Sequence, residues 1–122
     1  MALIPAVKQT GEVVGTPEAI GTITVGGTTY TKYRIFLDCG ALTNNGAISK
    51  SLGFTFNKII SITGVANNST GFAYPLPYSH NTSEYVINMY VKNGNAIDVV
   101  TYNSVHTTQW TGFSATVEIE YY

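Results

Sequence analysis

The chain holds few side chains that could move a proton, attack a carbonyl or grip a metal. Two histidines, seven carboxylates and six basic residues are spread over 122 positions. His80 and His106 have no third ligand at a metal-like spacing, so they do not read as a joint metal site. Glu118 and Glu120 alternate along one face of a predicted strand. Cross-sheet ion pairs with Lys32 and Arg34 account for them better than a catalytic carboxylate pair, as does shielding of a last strand. Cys39 is the single cysteine, which excludes an intramolecular disulfide, and no His–Asn or His–Asp arrangement lies near it to activate the thiol. It reads as a small buried hydrophobe. No G-x-S-x-G, P-loop or G-x-G-x-x-G motif occurs. The expectation is a protein that is not an enzyme and takes neither metal nor cofactor.

What remains is aromatic and amide chemistry. "GFAYPLPYSHNTSEY", Gly71 to Tyr85, is too apolar for an ordinary solvent loop and too rich in proline for a central strand. Pro75 and Pro77 fix φ and hold the segment extended, which lowers the ordering entropy lost on contact. A second group, "YNSVHTTQW", runs from Tyr102 to Trp110 in a predicted loop. Aromatic faces stack on the C–H faces of sugar rings, and Asn, Gln, His and Tyr hydrogen-bond sugar hydroxyls. The same residue types give rigid contact area between subunits. The candidate ligand-binding residues are Tyr74, Tyr78, His80, Asn81, Tyr102, His106, Gln109 and Trp110. Subunit contact, ligand contact and plain core packing compete as the role of these rings.

The elements that must position them are strands. "IGTITV" (Ile20–Val25) alternates, Gly26–Gly27 signals a two-residue hairpin, and Thr28–Leu37 places Tyr33, Ile35 and Leu37 opposite Lys32, Arg34 and Phe36. "AISKSLGF" (Ala47–Phe54) is a weak strand. "KIISITGV" (Lys58–Val65) is expected to turn Ile60, Ile62 and Val65 inward, past a bulge at Gly64, with Ile59 outward. "EYVINMYV" (Glu84–Val91) is apolar on both faces, as for a strand covered on both sides. Asn93–Asn95 marks a tight reversal, "AIDVVTY" alternates again, and "FSATVEIEYY" alternates Phe113, Ala115, Val117, Ile119 and Tyr121 against polar partners. No segment sustains a helical period. About eight short strands predict an all-β antiparallel sandwich, jelly-roll-like, over residues 16–122, behind a lead-in at 1–15.

The formal net charge is −1 and only 11% of residues are charged. No basic stripe is available to displace counterions from phosphates, which argues against nucleic acid. Nothing approaches a membrane span or a signal peptide, so the expectation is synthesis in a cytoplasm without membrane insertion. The three N-x-S/T matches at Asn67, Asn68 and Asn81 then read as turn chemistry.

The order of these signals resembles the C-terminal head domains of phage tail fibres and receptor-binding proteins. "GEVVGTPEAIGTITVGGTTYTKYRI" resembles their opening segment, "ISKSLGFTFNKIISITGVANN" their next element, and "WTGFSATVEIEYY" their closing strand. The likeness spans residues 11–122. It implies a β-sandwich tip that assembles as a homotrimer and attaches a virion to a bacterial surface, commonly through saccharides. Where family members have His-Gly-Ile, this chain has Leu52–Gly53–Phe54, so no role for that His carries over. The expected function is a non-enzymatic fibre head at the virion's tail-fibre tip that recognises a bacterial surface glycan. The rival is a purely structural trimerisation or capping module. A cell-surface hydrolase or self-cleaving chaperone would need a nucleophile beside a base.

Overall fold

The computed structural model describes residues 14–79, 85–103 and 109–122. They form nine strands, β1 (Glu18–Val25), β2 (Thr28–Ala41), β3 (Gly46–Ser51), β4 (Ile59–Asn67), β5 (Ala73–Leu76), β6 (Tyr78–Ser79), β7 (Tyr85–Lys92), β8 (Ala96–Asn103) and β9 (Ser114–Tyr121). Two antiparallel sheets face each other, one in the order β1-β2-β9-β4-β5 and the other β3-β8-β7-β6. The fold is an all-β sandwich, as the alternation predicts. No helix among the described residues is long and apolar enough to cross a membrane. Residues 1–13 of the predicted lead-in lie outside the described residues. Gly15, at its end, already donates its N–H to the Phe36 carbonyl at 2.7 Å, extending the line of β1 along β2.

Local chemistry sets the hairpins. Gly26 and Gly27 link β1 to β2 with φ of 58° and 83°, the left-handed pair that a two-residue turn needs to match strand twist. Between β7 and β8 the link is Asn93 to Asn95, with Asn93 and Gly94 at φ of 53° and 70° and Lys92 paired with Ala96. β9 carries the cleanest period-two pattern because it is the middle strand of its sheet. Ala115, Val117, Ile119 and Tyr121 all enter the core, beside Ile35 and Leu37 of β2. The second sheet answers with Ile87, Ile97 and Val99, all fully buried.

Several expectations change. β9 is not a last, exposed strand, so Glu118 and Glu120 do not guard an edge. Their ion-pair role holds, with Lys32 Nζ 3.9 Å from Glu120 and Arg34 Nε 3.9 Å from Glu118, while Arg34 also reaches Glu18 at 2.8 Å. These pairs are part-exposed and each is worth about 0–1 kcal/mol. In β4 the phase is shifted. The register slips between Ile59 and Ser61, not at Gly64, so Ile59 and Ile62 pack on the core while Ile60 and Val65 are exposed. Gly64 faces inward for lack of room: a Cβ there would lie 3.0 Å from the Thr116 carbonyl oxygen and 3.3 Å from Met89 Sδ. Finally, "AYPLPY" is not a loop. Its two halves are edge strands of opposite sheets, β5 and β6, joined across the cis Leu76–Pro77 peptide. Edge positions tolerate the missing proline N–H of Pro75, whose partner residue is Val65.

The strand "EYVINMYV" becomes β7, covered on one face only. Ile87 is buried and Met89 and Val91 pack on the core, whereas Asn88 is exposed and Tyr90 is 48% exposed on the outer side.

Candidate functional site

Three of the eight predicted ligand residues come together, but as a plug between the sheets. Tyr74 on β5 and Tyr78 on β6 have ring centroids 4.8 Å apart. Trp110 meets both edge-on, at 5.7 and 5.9 Å, and Phe113 at 5.7 Å. Trp110 is fully buried, its backbone N–H held by Asn44 Oδ1 at 2.7 Å, and Asn44 Nδ2 donates in turn to Thr111 Oγ1. This corrects the assignment of Trp110 as a ligand contact, since no face of its indole is open to a sugar. Tyr74 and Tyr78 are half-buried against the same core. Gln109 is part-buried beside the tryptophan. Tyr102 stands apart, 57% exposed on the outer face of the four-stranded sheet, opposite Val86 in register. His80, Asn81 and His106 lie outside the described residues.

The opposite end of the sandwich holds a cleft that the sequence reading missed. From Thr28 to Thr31, β2 pairs only with β1, because its pairing with β9 begins at Tyr33–Tyr121. The β1–β2 ribbon therefore projects beyond β9. A cleft of about 550 Å³ lies there, lined by Thr29, Tyr30, Thr31, Tyr33, Tyr121 and Tyr122, with Thr55, Phe56 and Asn57 of the β3–β4 connection as the remaining wall. That volume falls within the roughly 300–1,000 Å³ typical of small-molecule sites. Ring pairs flank it, with Tyr33 and Tyr121 on the inward face of the sheet and Tyr30 on the other. Tyr33 lies on Tyr121 at 5.4 Å, Phe54 lies on Tyr121 at 4.1 Å, and Tyr30 packs on Tyr122 at 4.8 Å. The connection is tied down by backbone bonds, from Asn57 and Lys58 N–H to the Tyr122 carbonyl and from Tyr122 N–H back to Lys58.

The chemistry of this lining is uniform. Hydroxyls, one amide and aromatic rings are present, and no charged side chain is. Tyr121 holds its phenol proton above the ordinary range, because burial disfavours the phenolate and Tyr33 adds to the effect. Such a surface can stack on an apolar ring face and exchange hydrogen bonds with neutral hydroxyls. Its lining includes no Ser, Cys, His, Lys, Asp or Glu side chain.

Other clusters do less. A groove of about 490 Å³ on the outer face of the five-stranded sheet is lined by Phe36, Thr63, Val65, Asn67, Thr116 and Glu118, with one ring only. On the outer face of the second sheet, Asp98 is buried and accepts from Ser49 Oγ, with Lys92 Nζ at 3.7 Å and Tyr90 Oη at 3.5 Å. Ser49 donates to a carboxylate there, and the lysine faces the same carboxylate, so the arrangement holds a buried charge in place. Among the described residues no group of three His, Cys, Asp or Glu side chains is placed to hold a metal ion.

Cys39 sits at the β2 bulge between Asp38 and Gly40, half-buried against the core. Burial, reinforced by Asp38, pushes its thiol up to about 11 from an ordinary 9.0, against a smaller opposing pull from Lys50. A rise of two pH units cuts the thiolate fraction at pH 8 by roughly 100-fold. Alkylation by iodoacetamide at pH 8 will therefore run about 100-fold slower than for a free cysteine peptide, and will quicken roughly tenfold per pH unit up to pH 10. A rate equal to that of the peptide would contradict this.

No family model, curated protein or solved structure matches the chain.

Proposed function

We propose that this chain is a non-enzymatic receptor-binding head of a phage tail fibre, working as a homotrimer that attaches the virion to a bacterial surface saccharide. The observation that carries the reading is the uncharged cleft of tyrosines and threonines between the β1–β2 ribbon and residues 55–57. A pyranose offers one apolar C–H face and a rim of neutral hydroxyls. Rings and Thr, Tyr and Asn side chains are the complement of that pattern, and Tyr supplies both the face and the hydroxyl at low entropic cost. The low overall charge and the resemblance to fibre heads support the same reading. The test is a glycan array probed with the 122-residue protein and with Tyr30→Ala. Binding to uncharged bacterial saccharides that Tyr30→Ala loses supports the proposal, and no binding to any saccharide rejects it.

A trimer needs a contact face, and the outer face of the β3-β8-β7-β6 sheet is the best candidate. Tyr90 and Tyr102 are the exposed rings there, with Val86 and Val100 beside them. This face also favours the rival reading, a purely structural module, because it would suit assembly without any ligand. Tyr90→Glu places a charge on it and will convert the assembly to monomer in light scattering after size exclusion. An unchanged mass would move the contact elsewhere. A trimer that binds no glycan would favour the structural module.

A further inference from the structure

We infer that Tyr30 and Tyr122 form a modification site, a pair of phenols that a peroxide-driven one-electron oxidant couples into a dityrosine cross-link. Strand pairing brings them together. The β2–β9 ladder begins at Tyr33–Tyr121, whose rings point inward. Tyr30 is three residues from Tyr33 and Tyr122 is one from Tyr121, so alternation puts both on the outer face. Diagonal neighbours on one sheet face are within reach of aromatic side chains. These two rings meet with centroids 4.8 Å apart and planes tilted by 40°. Their backbones are held in place. Tyr30 is paired in register with Ile23, while Tyr122 exchanges backbone hydrogen bonds with Lys58 and accepts another from Asn57. Each ring is part-exposed, lines the cleft and lies outside the core cluster.

The coupling asks for phenols that an oxidant reaches, and for rings that can turn edge to edge. Each phenol gives one hydrogen atom, as an electron and a proton, to the oxidant. The two phenoxyl radicals join through ring carbons ortho to oxygen, forming one C–C bond. The hydrogens displaced from those carbons return to the oxygens and restore both phenols. Two hydrogen atoms leave in all, and hydrogen peroxide, acting through a haem peroxidase, takes them up and becomes two waters. The other described tyrosine pairs do not meet these demands. Tyr121 is 4% exposed and stacked against both Tyr33 and Phe54, at 5.4 and 4.1 Å, so its ring has no room to turn. Tyr74 and Tyr78 are as close as the chosen pair, but Trp110 packs edge-on against both and Phe113 against Tyr74. The cross-link also falls where the fold has least support. Among the described residues, β2 from Thr28 to Thr31 has only β1 as a strand partner. The new bond ties that ribbon to the end of β9, and it does so whatever the cleft binds.

The test treats dilute 122-residue protein with hydrogen peroxide and a haem peroxidase, then reads dityrosine fluorescence, denatured mass and peptide maps. The expected product is a single chain lighter by two hydrogen atoms, with the peptides holding Tyr30 and Tyr122 joined. It should form at least about tenfold faster than any other dityrosine, because the two rings are already at high effective concentration. Tyr30→Phe and Tyr122→Phe keep the ring and remove the phenol, so each should fold like the parent and lose the joined peptide. Tyr74→Phe should retain it. The cross-linked protein should melt about 10 °C higher than the untreated one, since a closed loop of this length leaves the unfolded chain less entropy. Treated Tyr30→Phe should show no such rise. Absence of dityrosine, its mapping to another pair or only between chains, or an undiminished yield in Tyr30→Phe overturns the site. A bond between residues 30 and 122 that leaves the melting temperature unchanged overturns its role in fastening the ribbon.

Discussion

Trp110→Ala will destabilise the protein by about 3–5 kcal/mol and lower its melting temperature by roughly 10–20 °C. The indole is fully buried where Tyr74, Tyr78 and Phe113 converge. Removing it leaves a large void that three rigid rings cannot collapse to fill, and the edge-to-face contacts vanish with it. The loss is a substantial part of the roughly 5–15 kcal/mol that holds a domain of this size together. Thermal and urea unfolding of the variant measure it. A change below about 1 kcal/mol would mean the indole is not packed as described. Loss of glycan binding by a Trp110→Ala protein that keeps its stability would instead move the site to this end of the sandwich.

The contrast between Trp110 and Tyr30 shows what the sequence could disclose. Periodicity marked β9 inward at Ala115, Val117, Ile119 and Tyr121, and two glycines marked the β1–β2 turn, because both are local signals. The pairing of Glu118 and Glu120 with Lys32 and Arg34 also followed from alternation. Strand order did not, since the middle place of β9 depends on distant partners in β2 and β4. A one-residue slip at Ile59–Ser61 turned Ile60 outward, and the unbroken register at Gly64 turned Val65 outward too; apolar runs carry no mark of which residue a bulge absorbs. The aromatic cluster around Trp110 was visible as composition. Ligand platform and core plug share that composition, and only tertiary burial separates them. The cleft was hidden because its lining comes from 29–33, 55–57 and 121–122, three stretches that meet only once β2 and β9 have paired. The density of Thr and Tyr in "GGTTYTKY" and "EIEYY" was its one available trace.

Tyr30→Ala and Tyr122→Ala will each weaken glycan binding about 30-fold while leaving stability within about 1 kcal/mol. Both rings line the cleft and face each other at 4.8 Å, yet neither belongs to the core cluster. Truncating them removes contact area without opening the interior. An aromatic at the centre of a binding surface is worth about 2 kcal/mol or more, and about 1.4 kcal/mol corresponds to tenfold in affinity. Tyr121 and Tyr33 would be poor probes, because they stack into the core and their loss mixes binding with folding. Calorimetric titration with the array ligand gives the affinity, and thermal melting gives the control. Binding should also be flat between pH 6 and 8, because no histidine and no charged side chain lines the cleft. Salt between 0.05 and 0.5 M should leave it equally unmoved, as roughly expected where no exposed charge is neutralised.

Backbone amide shift mapping with the array ligand tests the central claim most directly. The account predicts perturbations gathered at 29–33, 55–57 and 121–122. Perturbations centred instead on Tyr74, Tyr78 and Tyr102, or on the groove around Phe36 and Val65, would contradict it.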